Sequence, residues 1–532
     1  MRPSTYHLPR GRNVQFIDPP LSDLPGVIAQ NKQRLASAAF TVAGVPHREA
    51  AALARAQALE LAVAYTRSLG VEVDAPPPVD TVIAAGHQPG MNHPGVWIKN
   101  HLADHLARKL GGCGVNIVLD TDTHSSLDFQ VPRLGDGQAR VEHLRCILSE
   151  AGIAVEEQRL DDPRCIDELT EKALPLLQFE TSRAAAAAYL AGLRAAAAQS
   201  PSLSYVLARA RRAVEESWGL TNLELPYSAA CGLDSFRLLV LEIIRRADEF
   251  ARIYNARLAD YRKAYKVRGK ANPLPDLILD GAHVELPLWV WRAGGERRPL
   301  MVRRDGSTTQ LLHGPNVVQT LSEHQLRNPS DGIQALRQLE ADGVRIRSKA
   351  LVTTIYMRLF LFDLFIHGIG GGNYDIITNE IIRDFFGFDP PEYAVATASV
   401  ALPFEQKDAG RQDLIKLREK ASRMHHGPHN FAGNLLPDDP ETAALLEQRR
   451  ETLHEQERAA DKAEKRRLFK RTKVIDAQLR ERIRPFIADK EKETGEVRQA
   501  LNHNAIAAGR EYPFCIYPEE LLRKVYSFEK DC

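Results

Sequence analysis

Apolar residues along this chain change period several times, and the changes mark its elements. Over 48–69 alanines and leucines recur at three and four, the spacing of a helix face, and Gly70 follows as a stop. The run 82–85 is apolar with β-branched residues at its start and predicts a strand. The pattern then breaks on glycine and proline and resumes as an amphipathic helix over 96–110, stopped by Gly111 and Gly112. Residues 115–119 predict the next strand. Strand, loop, helix and strand make a βαβ unit, so a sheet that is at least partly parallel is expected. A right-handed crossover puts the loops 86–95 and 120–124 at the same end of that sheet, facing one crevice.

Farther on, 150–270 reads as largely helical, with an alanine-rich helix over 182–198 and amphipathic helices over 203–218 and 234–265. Between these, 223–227 reads as a strand or an extended link. From 277 the period moves towards two, with a Gly294-Gly295 turn, and predicts antiparallel hairpins in an inserted subdomain. An apolar run over 359–366 enters His367-Gly368-Ile369-Gly370-Gly371-Gly372-Asn373-Tyr374-Asp375, and a helix over 376–386 follows. That repeats the strand, glycine loop, helix layout. Between Pro440 and Pro485 no glycine or proline occurs, and Leu446, Leu453 and Ala460 fall at heptad spacing, as do Leu468 and Ile475. One long helix with a coiled-coil-like seam is expected there. The tail after Tyr512 is aromatic enough to dock back on the body.

These shifts divide the chain into an N-terminal arm and helix (1–77), a first core part (78–150), a helical insertion (151–270), a small β-rich insertion (271–344), a second core part (345–404) and a C-terminal long-helix domain (405–532). A chain of 532 residues is too long for one compact core. The formal net charge of +1 gives no electrostatic reason to seek nucleic acid or an anionic membrane. Six cysteines are scattered without a Cys-x-x-Cys pair, which argues against a disulfide framework and fits a reducing cytosol. The first residues lack an apolar signal core and no apolar run is long enough to span a bilayer, so a cytoplasmic protein is expected.

The chemistry concentrates in the first loop, Gly86-His87-Gln88-Pro89-Gly90 to His93-Pro94-Gly95, with Lys99 one turn into the helix. Such loops aim backbone N–H groups at anions. Imidazoles of His87 and His93 would stabilise charge developing on a transferring group. Asp120, Asp122 and His124 end the next strand, where carboxylates hold Mg²⁺, act as base towards an amine, or bind a hydroxyl; as plain structure they would cap a helix. The glycines 368, 370, 371 and 372, with His367, Tyr374 and Asp375, form a second ligand loop or else a tight turn. His101 and His105 are spaced i, i+4, as zinc ligands are, but no Glu lies between them, and no metal site is assigned.

Taken together these blocks resemble the bacillithiol-biosynthesis cysteine-adding enzymes. That family has Gly-Gln-Gln-x-Gly after a Val-rich strand, then a Gly-Pro step and an aromatic residue; here the stretch is Gly86-His87-Gln88-Pro89-Gly90, then Pro94-Gly95 and Trp97. An acidic-Asp-His-Asp segment is matched by Asp120-Thr-Asp122-Thr-His124. A late Gly-Gly-Pro-Gly-Glu-x-x-Tyr loop, helix and Phe-Gly-x-x-x-Pro ending are matched by Gly368 to Asp375, the helix and Phe386-Gly-Phe-Asp-Pro-Pro391. Ile346-Arg347-Ser-Lys349 resembles an Arg-Pro-x-x-Gln segment more weakly. His87 in place of Gln and the inverted Pro94-Gly95 step are departures.

The resemblance implies an α/β fold with a Rossmann-like parallel core, and a coiled coil through which a homodimer forms. It implies a ligase that adds cysteine, or a related amino acid, to an amine-bearing sugar-malate-like acceptor, with ATP or ADP and Mg as the nucleotide and ion. On that reading His87, His93, Asp122 and His124 are catalytic. Gly86, Gln88, Gly90, Gly95, Lys99, Asp120, His367, Gly368, Gly370, Gly371, Gly372, Tyr374 and Asp375 bind substrate or nucleotide. The alternatives are a metal-dependent hydrolase built on the loop histidines and a non-enzymatic coiled-coil scaffold.

Overall fold

The computed structural model describes residues 5–73, 79–123, 126–135, 138–147, 152–269 and 273–528. Two compact units emerge: Met1–Val131, Glu142–Leu402 and Arg510–Cys532 form one, and Pro132–Val141 with Pro403–Gly509 the other. The tail beyond 509 therefore belongs to the larger unit, not to the C-terminal helices with which it was grouped.

A six-stranded sheet organises the larger unit. Its parts in chain order are β1 (Val14–Asp18), helix α1 (His47–Ser68), β2 (Val82–His87), α2 (Pro94–Lys109), β3 (Cys113–Val118), β4 (Leu223–Pro226), β5 (Leu364–His367), α3 (Ile369–Phe386) and β6 (Ala394–Ser399). The strand order is β1-β6-β5-β2-β3-β4. All neighbours run parallel except β1, which lies antiparallel on β6. The fold is thus mixed α/β around a mostly parallel sheet. From β2 the chain crosses through α2 to β3, and from β5 through α3 to β6 on the other side. The order reverses between β5 and β2, and crevices at the carboxyl ends of strands form at such points.

The sheet is covered on both faces, so its strands are apolar on both. Val82, Ile83, Ala84 and Ala85 are fully buried in β2. Helix α1 meets its neighbours through small residues, Ala50, Ala54, Ala58 and Ala62, spaced one turn apart. Helix α2 is buried on nearly all sides, Lys99, Asn100, His101 and Asp104 included. Its polar residues are paid for by a buried network. Glu215 accepts from Trp97 Nε1 and Asn100 Nδ2, each at 2.7 Å, while Arg211 bridges Glu215 and Glu224. Buried ion pairs persist only when hydrogen-bonded in this way.

A five-stranded antiparallel sheet over His283–Ser348 matches the expected hairpins, and its last strand, Val344–Ser348, carries Arg345 and Arg347 back towards the parallel sheet. Three expectations need correction. The four glycines do not form a loop: α3 starts at Ile369, so Gly370, Gly371 and Gly372 lie in its first turn. Only 364–367 of the apolar run is strand; Met357–Leu361 is a π-helical turn. The single long helix is two, Pro440–Arg458 and Lys462–Arg482, because the Asp461 side chain accepts from the Glu464 amide and starts a new helix. In the smaller unit these helices, with Arg411–His426 and Arg484–Ala507, enclose Met424, Ile475, Leu479, Ile483 and Ile487.

The cysteines also differ from expectation. Cys146 and Cys165 form a disulfide with Cα atoms 5.7 Å apart. The two partners sit on different elements, a strand and a helix, which is why spacing alone did not pair them. Among the described residues no helix is long and apolar enough to cross a membrane.

Candidate functional site

The carboxyl ends of β3 and β4 open into a cleft of about 600 Å³. Asp120 follows β3 and is 2% exposed. Its Oδ1 accepts the Ser228 amide at 2.9 Å and its Oδ2 the Ser228 hydroxyl at 2.6 Å, so the two loops grip each other across the end of the sheet. Glu156 comes from a short segment laid over the same edge, where its amide donates to the Asp120 carbonyl at 2.8 Å. Arg347 reaches Glu156 with both arms of its guanidinium, at 3.0 and 2.9 Å, and Glu340 at 3.3 Å. Tyr65, from α1, and Ser204 complete the wall.

Burial is the main force on Asp120. It lifts the carboxyl to a pKa of about 7; the Glu156 charge adds to the rise, and Ser228 and Arg347 oppose it. Burial likewise raises Glu156, against the pull of Arg347. A carboxyl poised near neutrality in a cleft can take or give a proton under working conditions. Of the residues lining this cleft, sequence reasoning singled out Asp120 and, weakly, Arg347. It missed Tyr65, Glu156, Ser204 and Ser228. The alternation Val344-Arg345-Ile346-Arg347, charged on one strand face, was the available signal for the arginine side.

Asp122 sits at the neighbouring loop junction. Gln88 Nε2 donates to it at 2.7 Å and Arg297 at 3.0 Å. Burial pushes its pKa up, but Gln88, the Thr123 amide and Arg297 outweigh that and lower it. The loops after β2 and β3 are therefore brought together as expected, through Gln88 and Asp122. His124 lies outside the described residues.

The remaining histidines face inwards. His87 ends β2; its Nδ1 lies 2.9 Å from the Gln88 carbonyl and 3.1 Å from Asn92 Nδ2, and its Nε2 is buried without a partner among the described residues. Burial, then the charges of Lys99 and Arg211, hold its pKa down at about 3, so the ring is neutral. Lys99 donates to the Gly86 carbonyl at 2.7 Å, and burial lowers its pKa to about 7. His93 is the N-cap of α2: its Nδ1 accepts the Gly95 amide at 2.9 Å, and its ring stands edge-on to Tyr517. His101 packs against Trp97 and Tyr526, and His105 against Phe528. Among the described residues no three His, Cys, Asp or Glu side chains are grouped to hold a metal ion.

At the second glycine stretch, His367 Nε2 is 2.8 Å from Asp375 Oδ2, and Arg358 Nη1 is 2.8 Å from the same oxygen. Thr354 donates to Oδ1 at 2.7 Å. Buried though it is, Asp375 is held well below the usual carboxylate range by His367 and Arg358. The glycines there are spaced for packing. A Cβ on Gly371 would lie 2.5 Å from His367 Nδ1, and one on Gly372 would lie 2.4 Å from Val395 and 3.2 Å from the Tyr6 ring. Gly95 is tighter still, 2.2 Å from the Ala398 carbonyl. Tyr374 is half-buried against the core. Gly368 and Gly370 face open space, and Gly90 only accepts from Asn92 at 3.2 Å.

The crevice between β5 and β2 is occupied by the chain itself. Tyr6 exchanges backbone bonds with the Asn373 side chain at 2.7 and 3.2 Å. Phe514 donates its amide to the Asn92 carbonyl at 2.8 Å, and Arg510 donates to the Ala398 carbonyl at 2.6 Å. The expected ATP or ADP does not fit the open cleft, and the described residues hold no side-chain group arranged to take its Mg. Arg347 is spent on Glu156 and Glu340, Arg345 donates to the Glu340 carbonyl at 2.9 Å, and three carboxylates line the wall. A polyphosphate would find acceptors where it needs donors. No family model matches this chain, and no curated protein matches it significantly.

Proposed function

We propose that this chain is a carbon–nitrogen bond-forming enzyme that couples an amino acid, cysteine by the family resemblance, to an amine-bearing polyhydroxylated acceptor in low-molecular-weight thiol synthesis. The observation that carries the reading is Asp120: a buried carboxyl with a pKa of about 7 at the carboxyl end of a parallel strand, in a cleft of about 600 Å³. An acceptor amine arrives as an ammonium ion. Asp120 takes its proton, which frees the nitrogen lone pair to attack the amino acid's acyl carbon; the C–N bond forms as the acyl C–O bond breaks, and the oxygen leaves as water or with whatever group activates the acyl carbon. Ser228 keeps the carboxylate oriented, and the Glu156–Arg347 pair fixes the facing wall. No step is assigned to a nucleotide. The strand order, reversing between β5 and β2, supports a Rossmann-like description of the core.

The hydrolase alternative has little support, since His93 caps a helix, His101 and His105 pack against aromatic rings, and Asp122 is tied to Gln88 and Arg297. The homodimer remains part of the proposal. Phe469 and Val474 on Lys462–Arg482 are 51% and 59% exposed, apolar surface that a second copy would cover.

The test is direct. Purified protein is incubated with cysteine, glucosaminyl-malate and, in parallel, with and without ATP, and products are read by mass spectrometry. A new species with the mass of the condensed pair is expected. No condensed species under either condition, together with an unchanged thiol profile in a deletion strain, would overturn the reading.

A further inference from the structure

Two polar atoms in the cleft wall are unaccounted for. Tyr65 Oη and Ser204 Oγ are both buried; they lie within reach of each other, and among the described residues neither has another hydrogen-bond partner. Ser204 is only 5% exposed. Each hydroxyl is a donor and an acceptor at once, so a contact between the two alone leaves donor and acceptor capacity unmet, which costs stability that folding has no reason to give up. The two carboxylates beside them are satisfied within the chain: Asp120 by Ser228, and Glu156 by Arg347.

The two hydroxyls come from separate elements. Tyr65 is on α1, and Ser204 opens the helix Leu203–Ser217. They line the same cavity as Asp120, and the Asp120 charge raises the Tyr65 phenol further above its burial-driven shift, so the groups share one electrostatic environment. Two buried hydroxyls with no partner but each other, beside a proton-exchanging carboxyl, are what a ligand-binding wall looks like before the ligand arrives.

We infer that Tyr65 and Ser204 are specificity-determining residues that hydrogen-bond a neutral hydroxyl of the acceptor while its amine lies at Asp120. The inference rests on the reading of this cleft as the acceptor site. A neutral hydroxyl fits because it donates to one partner and accepts from the other. A phosphate fits poorly, because Glu156, Glu340 and Asp120 face the same space.

Stability and affinity should move in opposite directions, which a merely structural hydroxyl would not produce. In Tyr65→Phe the ring stays and the under-satisfied hydroxyl goes. Binding should weaken roughly threefold to tenfold, the worth of one hydrogen bond, while Tm stays level or rises. Ser204→Ala should do the same, and serves where Tyr65→Phe does not fold.

The experiment titrates the full chain with glucosamine, glucose and inorganic phosphate by saturation-transfer NMR, with Tm measured on each variant. The expected result is transfer to glucosamine and glucose but not to phosphate, and weaker sugar binding in both variants without loss of Tm. If Asp120→Asn abolishes glucosamine binding while Tyr65→Phe and Ser204→Ala bind as the unaltered chain does, the inference fails and the cleft reading stands. The inference also fails if both variants lose Tm in step with affinity. If the unaltered chain binds none of the probes, or phosphate alone, both fall together.

Discussion

Two places at the carboxyl edge of the same sheet invite a ligand, and they are built on opposite terms. The crevice at the strand-order reversal has the glycines, the histidines and the helix N-termini, yet its interior is filled by Tyr6, Arg510, Phe514 and Tyr517 of the chain's own ends. The cleft beside β3 and β4 has no glycine motif. It has a near-neutral carboxyl, an arginine-glutamate pair and two hydroxyls with no partner but each other around open space. Residue types that can bind a ligand also serve close packing, and only the neighbours across space decide which use is made of them.

The sharpest way to break this comparison is to exchange the roles. Asp120→Asn should lower turnover by about 10²- to 10⁴-fold, the range for losing a general base, with Tm little changed. His93→Ala should instead lower Tm, by the loss of a helix cap. Equal loss of turnover at equal stability in both would show that the crevice is catalytic. On the proposed function, the rate of the unaltered chain should climb with pH up to about 7, as Asp120 loses its proton, and then level off.

The two regions should also answer pH with opposite signs. His87, His93 and His101 have pKa values lowered from 6.5 to about 3, chiefly by burial. Their contribution is present above 6.5 and is lost as pH falls towards 3, by about 1.4 kcal/mol per histidine per pH unit. Asp120 is raised from 3.8 to about 7, so its contribution is full below 3.8 and is lost as pH rises through 7. Hydrogen exchange at pH 5 should therefore show α2 opening before the Asp120–Ser228 junction. The reverse order would contradict the assignment.

Smaller effects follow. Reducing the Cys146–Cys165 bond, 19 residues apart, should cost about 3 kcal/mol by the loop-closure argument, measured as denaturant midpoints with and without reductant. The closed loop carries Glu156, so reduction should weaken cleft ligands as well. Gly95→Ala puts a methyl group against the Ala398 carbonyl and should cost about 1–3 kcal/mol while cleft binding persists. Asn373→Ala, which removes that side chain's two bonds to the Tyr6 backbone, should cost about 1 kcal/mol and leave turnover unchanged.

Much of the core was legible. The β2–α2–β3 unit follows from an apolar run, a Gly/Pro break and a helical period, all local signals. The tail's docking followed from its aromatic content. The glycines at 370–372 misled because a ligand and a neighbouring strand leave the same vacancy in sequence; Val395 and Tyr6, distant in the chain, are what fill it. Sequence reasoning made Asp122 catalytic and Asp120 a binding residue; the contacts that favour the opposite assignment, Ser228 on one and Arg297 on the other, lie far off in the chain. The break at Asp461 was readable in principle from the Asp-x-x-Glu pattern, but lacked the glycine or proline that usually announces one.

The aromatic packing around Trp97 has a consequence for the order of synthesis. Phe514 stacks on that ring at 4.4 Å, and Tyr526 donates its hydroxyl to the Pro94 carbonyl across 432 residues of chain. While the ribosome is still making the helices of the smaller unit, α2 has one flank bare. A chain cut short before 514 lacks the stacking partner of that ring and the donor to the Pro94 carbonyl, a flaw by which truncated products betray themselves to proteases.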